Sequence, residues 1–135
     1  MKNRSMAIAS DDSVETPSVT FDSPPQDGVT MNTLLLVSTT FSRKEDAERI
    51  AQLLLDRKLI ACAHISGPIT SVYRWQGKVN TTPEFTMSVK TTPQRWQTLQ
   101  DILVREHPYE LPEIVGQEIQ HVSDAYYDWV CGEVQ

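Results

Sequence analysis

The chain has 135 residues, 39% of them hydrophobic, with 18 acidic against 12 basic side chains and a net charge of −6. That length suits one domain, and the acidic balance excludes the basic face that a nucleic-acid partner calls for. No apolar run approaches the ~18 residues of a membrane span, and neither a Gly-rich phosphate loop nor an internal repeat is present.

Residues 1–31 differ from the rest. Up to Thr30 they are rich in Ser, Thr, Asp and Pro, with two basic residues (Lys2, Arg4) against five acidic ones (Asp11, Asp12, Glu15, Asp22, Asp27). The Met6-Ala7-Ile8-Ala9 run is too short for a secretory signal, and the acidic residues count against a transit peptide. Such a segment buries too little apolar surface to offset its ordering entropy, so residues 1–31 read as a disordered tail and 32–135 as the folded domain.

Thr33 to Thr40 is apolar and β-branched, the pattern of a buried strand. Ser42 and Glu45 have capping-box spacing. The helix they open carries Ala47, Ile50, Ala51 and Leu54 on one face. Lys58 stands at its C-terminal end, where the helix dipole favours a cation. Ile60 to Lys78 is long for a strand, and Gly67-Pro68 marks a bulge or bend within it. Gln76-Gly77-Lys78 supplies a hairpin turn. Val79 to Thr91 returns as the partner strand: Phe85, Met87 and Val89 alternate with Glu84, Thr86, Ser88 and Lys90. Pro83 there indicates a stretch with an edge or a bulge. Thr92-Pro93 starts a second helix, which buries Trp96, Leu99, Ile102 and Leu103.

That helix must stop near Glu106, because two prolines stiffen the connector His107-Pro108-Tyr109-Glu110-Leu111-Pro112-Glu113-Ile114. Glu113 to Gln120 is a fourth strand. Ser123 or Asp124 then caps a last helix holding Tyr126, Tyr127, Trp129 and Val130.

The order is that of an α+β, ferredoxin-like βαββαβ sandwich with a long hairpin between the second and third strands and an extra C-terminal helix. One face of such a sheet is left open. With aromatics at Tyr73, Trp75 and Trp129 to cover, self-association is expected, and these three are the candidate interface anchors.

From about Thr33 onward the chain resembles the CutA family of divalent-cation tolerance proteins. The resemblance rests on Leu59-Ile60-Ala61-Cys62-Ala63, Ser71-Val72-Tyr73-Arg74-Trp75-Gln76-Gly77-Lys78, Val89-Lys90-Thr91-Thr92, His107-Pro108-Tyr109 with Pro112-Glu113, and Tyr127-Asp128-Trp129. It implies a stable homotrimer built like the PII-type signalling trimers and an association with copper and other divalent cations; no family-wide enzyme activity is implied, and no nucleophile with a base at recognisable spacing is present, so a non-enzyme is expected. A copper site proposed in the family uses a Cys ending the first strand and a His pair before Pro-Tyr. Here Ser38 or Thr39 takes the Cys position and Glu106 replaces the first His, leaving His107.

The candidate metal ligands are therefore His107, Glu106 and Cys62, and a divalent cation, copper foremost, is the expected cofactor. A competing reading is a PII-like sensor or scaffold that takes a small anion or a protein partner in an intersubunit cleft lined by Lys90, Trp75, Tyr109 and Glu113. A Lys90–Glu113 salt bridge and a hydrogen-bonded His107 at a proline corner are the plainer structural expectations. The two cysteines, Cys62 and Cys131, form no CxxC pattern. Free thiols are expected over a single bridge, which fits a reducing, cytoplasmic setting.

Overall fold

The computed structural model describes residues 32–135. The tail expected over residues 1–31 lies outside the described residues. The strands are β1 (Leu34–Phe41), β2 (Cys62–Trp75), β3 (Lys78–Thr91) and β4 (Val115–Ile119), and the helices α1 (Lys44–Asp56), α2 (Trp96–Glu106) and α3 (Asp124–Glu133). The strands form one antiparallel sheet in the order β2-β3-β1-β4. This is the ferredoxin-like arrangement with an added helix.

Side chains two residues apart share a face of a strand. On β1 that puts Leu35, Val37 and Phe41 together, opposite Thr91, Val89 and Phe85 of β3. Ala47, Ile50, Ala51 and Leu54 of α1 and Leu99, Ile102 and Leu103 of α2 close over this face. Each of the larger side chains (Leu, Ile, Val, Phe) contributes roughly 1.5–3 kcal/mol by burial. Leu34 points the other way, and with Ala61 and Val130 it makes a smaller cluster under α3. The third helix thus covers one end of the second face.

The capping box expected from Ser42 and Glu45 does not form. Arg43 is the N-cap, with extended backbone and no side-chain cap bond. Its guanidinium instead meets Glu45 at 3.7 Å. The helix starts one residue later than the box requires, so Glu45 and Asp46 act as first-turn charges instead. At the other end Lys58 takes a left-handed φ of 58°. The Lys58 and Leu59 amides donate to the carbonyls of Leu55 and Leu54, each at 3.0 Å. This is a Schellman closure with Lys in the place glycine usually fills. Thr92 caps only a 3₁₀ turn over Pro93–Arg95, again without a side-chain bond, and α2 proper starts at Trp96. For α3, Ser123 is the cap, its Oγ accepting from the Tyr126 amide at 3.2 Å.

β2 and β3 are 14 residues each, and their hairpin runs past the last β1 pair, Phe41 with Phe85. Pro83 lies in this overhang opposite Thr70, where β3 has lost β1 as a partner, as a proline needs. Gln76 (φ 54°) and Gly77 (φ 81°) make the turn, both left-handed as a type I′ hairpin demands. The register shifts between Ser66 and Ile69, where Gly67 and Pro68 oppose the single residue Phe85. Gly67 has φ 142°, and a Cβ there would lie 2.9 Å from both the Glu84 carbonyl oxygen and the Phe85 ring.

Candidate functional site

The stiff connector after α2 builds the site. His107 ends the helix, its amide donating to Leu103 O at 2.9 Å, and Pro108 prevents continuation. The imidazole turns inward, 7% exposed, and stacks on Phe41 with centroids 4.4 Å apart and 6° between planes. Its Nδ1 accepts the Tyr109 amide proton at 3.1 Å. The ring proton therefore sits on Nε2, which faces Thr40 O at 2.9 Å and Thr39 Oγ1 at 3.0 Å. Burial holds the ring well below its ordinary value of 6.5, at about 4, so it is neutral at pH 7.

Tyr109, also 7% exposed, extends from this corner to the sheet. Its hydroxyl donates to Glu84 Oε2 at 2.6 Å, the short distance of a charge-assisted bond. Glu84 is only 1% exposed, and its Oε1 accepts no hydrogen bond from the described residues. Four residues on from Tyr109, half-buried Glu113 has its carboxyl pushed up to about 7, first by burial and then by the charge of Glu84. Tyr109 thus ties the connector to Glu84 of β3 where the hairpin leaves β1.

Glu84 is the residue that sequence reasoning missed. Period-two alternation puts it with Thr86, Ser88 and Lys90 on the polar row of β3. The Gly67-Pro68 bulge opposite bends and twists the hairpin at that point, and bulges re-aim side chains. The available signal was Pro83 beside Glu84, across from Gly67-Pro68.

The expected metal set is not assembled. Among the described residues no group of three or more His, Cys, Asp and Glu side chains is placed to hold an ion. His107 uses both ring nitrogens internally. Glu106 faces Arg49 at 3.8 Å and Arg105 at 3.5 Å. Cys62 lies near α3, its Sγ 3.4 Å from Tyr126 Oη. That contact, ahead of burial, pushes the Tyr126 hydroxyl up to about 12. Both cysteines are free thiols.

The cleft set is only partly brought together. Tyr109 and Glu113 both stand on the connector after α2. Lys90 pairs in register with Cys62 and Leu36, and among the described residues no ion pair joins it to Glu113, so the expected salt bridge is absent. Trp75 is at the far end of the same ladder, opposite Lys78. At about 3.4 Å per residue, some 40 Å of strand separates it from the Lys90 end, so one subunit cannot close a pocket with both. Of the candidate interface aromatics, Trp129 is 45% exposed, Trp75 half-buried, and Tyr73 buried on the hairpin, its hydroxyl accepting from Thr82 Oγ1 at 3.3 Å.

Comparison with known proteins agrees with the fold. A family model described as the CutA1 divalent ion tolerance protein matches residues 35–133. The chain is 38% identical over 95 residues to the divalent-cation tolerance protein CutA of Thermus thermophilus, covering 70% of this chain and 92% of that protein. It is 31% identical over 102 residues to the protein of the same name from Pyrococcus horikoshii, covering 76% and 99%. Among solved structures, the Thermus thermophilus divalent cation tolerance protein (Cut A1) superposes with a TM-score of 0.73 at 35% identity, covering 76% of this chain and 99% of that one. CutA from Synechococcus elongatus superposes with 0.74 at 37% identity, covering 79% and 95%.

Proposed function

The chain belongs to the CutA1 divalent ion tolerance family, and from that premise we propose that it binds divalent cations and serves in tolerance of them. The match across residues 35–133 carries this reading. We assign a binding role rather than a catalytic one. Copper held by His107, Glu106 and Cys62 does not fit this chain. The imidazole has no free lone pair, the Glu106 carboxylate faces two arginines, and the thiol lies against Tyr126.

The working unit we propose is a homotrimer. The overhanging hairpin exposes Ile69, Val72 and Val79, and β2 and β4 are edge strands with open backbone groups. Free thiols at Cys62 and Cys131 fit a reducing compartment such as the cytoplasm. The sensor reading keeps one specific observation. Lys90 is a half-buried cation without an ion pair among the described residues, and Trp75 can reach it only from another copy.

The test is titration calorimetry of the full chain with Mn²⁺, Zn²⁺ and Cu²⁺ at pH 7.5. Saturable binding in the micromolar range or tighter, retained in His107→Ala, is expected. No binding tighter than about millimolar for any ion would overturn the reading and favour an anionic ligand near Lys90.

A further inference from the structure

A cavity of about 290 Å³ opens between β4 and the start of α2. Its walls are Leu35 of β1, Pro93 of the 3₁₀ turn, Trp96 of α2, and Gly116 and Glu118 of β4. Local sequence explains each wall. Pro93 is the fixed-φ first residue of the turn that leads into α2. Leu35 and Glu118 are register partners, so both side chains leave the same face of the sheet. Gly116, two residues before Glu118, shares that face and is where the indole comes down on the sheet: a Cβ there would lie 2.9 Å from Trp96 Cζ3. The benzo ring is thus held against β4, while the side chain as a whole is half-buried. Glu118 supplies the charge on these walls. It is exposed, and among the described residues no ion pair engages it. Arg95, beside Trp96 in the chain, does not line the cavity.

These walls select a ligand. Leu, Pro and Trp surfaces accept an apolar body, and a single carboxylate attracts a cation and repels an anion. A metal ion of the hard type would find one carboxylate and no second side-chain oxygen on the walls, so the ligand is an organic cation. Among organic cations a guanidinium suits an indole and a carboxylate together. It is planar and weakly hydrated, stacks on aromatic faces and offers a fork of N–H donors. Ligand pockets run from roughly 300 to 1,000 Å³, so this cavity takes a short stem only. We infer that the cavity binds a small alkylguanidinium, with its plane against Trp96, its N–H groups on the Glu118 carboxylate and its stem along Leu35 and Pro93. The inference is independent of the metal-binding reading.

The test is a nuclear magnetic resonance titration of the isotope-labelled full chain with butylguanidinium at pH 7.5, followed at the Trp96 indole N–H. Butylurea keeps the plane and the stem without the charge; butylammonium keeps the charge without the fork. A saturable shift with a Kd of about a millimolar is expected for a ligand of this size. Binding is expected to be at least roughly tenfold weaker for butylurea and roughly threefold or more weaker for butylammonium. Glu118→Gln, with folding verified by thermal unfolding, is expected to weaken butylguanidinium by at least about tenfold. Glu113→Gln, a carboxylate outside the cavity, changes it less than about twofold. Equal binding of butylurea, or binding unchanged in Glu118→Gln, would overturn the cationic ligand, and equal binding of butylammonium would overturn the guanidinium. No shift of the Trp96 resonance at tens of millimolar, the result if a second copy of the chain fills the cavity, would overturn the site.

Discussion

His107 looked in sequence like the best surviving metal ligand, and its surroundings make it a structural pin. It stacks on Phe41 and ties the connector to β1 through Thr39 and Thr40. Because burial lowers its folded pKa from 6.5 to about 4, the unfolded chain takes up a proton before the folded one. Stability from this group is fully present above pH 6.5, falls as pH drops toward about 4, and levels off below that. Denaturant midpoints between pH 7.5 and 4 are expected to fall in wild type and to fall less in His107→Ala. At pH 7.5 that variant loses roughly 2–3 kcal/mol, from two or more buried hydrogen bonds and the ring stack. What was not legible at this scale was Glu84. Its burial depends on a bulge in another strand and on a tyrosine 25 residues away, neither of which enters a period-two count.

At the level of elements, the apolar periodicities predicted the core strands and helices well, because those have a buried face: Ala47, Ile50, Ala51 and Leu54 on α1 and Leu99, Ile102 and Leu103 on α2 are core as expected, whereas β4 has no buried residue. Cap chemistry was less legible. Ser42 and Ser123 carry the same hydroxyl, but only Ser123 caps, since the turn geometry before α1 places Arg43 at the N-cap. The Schellman closure by Lys58 could not be read from a residue that avoids left-handed φ. Lys58→Gly is expected to stabilise the fold by about 1 kcal/mol in urea unfolding, since glycine accepts that φ without strain. Gly116→Ala is expected to do the reverse. Its Cβ would come within 2.9 Å of the Trp96 ring, and displacing a packed indole costs roughly 1–3 kcal/mol. A neutral result would show that Trp96 swings away freely.

For the whole molecule, the fold class was readable because element order and a long interrupted hairpin leave few topologies, and the ferredoxin-like order β2-β3-β1-β4 is one of them. The cleft was not, because Trp75 and Lys90 stand at opposite ends of one ladder and can meet only across copies. If the hairpin is where copies join, Val72→Glu, which puts a charge on a residue 55% exposed in the single chain, shifts light-scattering mass from trimer toward monomer. An unchanged mass would place the contact elsewhere. The central claim is that this chain binds divalent cations and does so without His107 and Cys62 as ligands. Anomalous diffraction from Mn²⁺-soaked crystals tests it most directly. The account predicts a bound-ion peak away from His107 and Cys62; a peak at either of those side chains, or no peak at all, would contradict it.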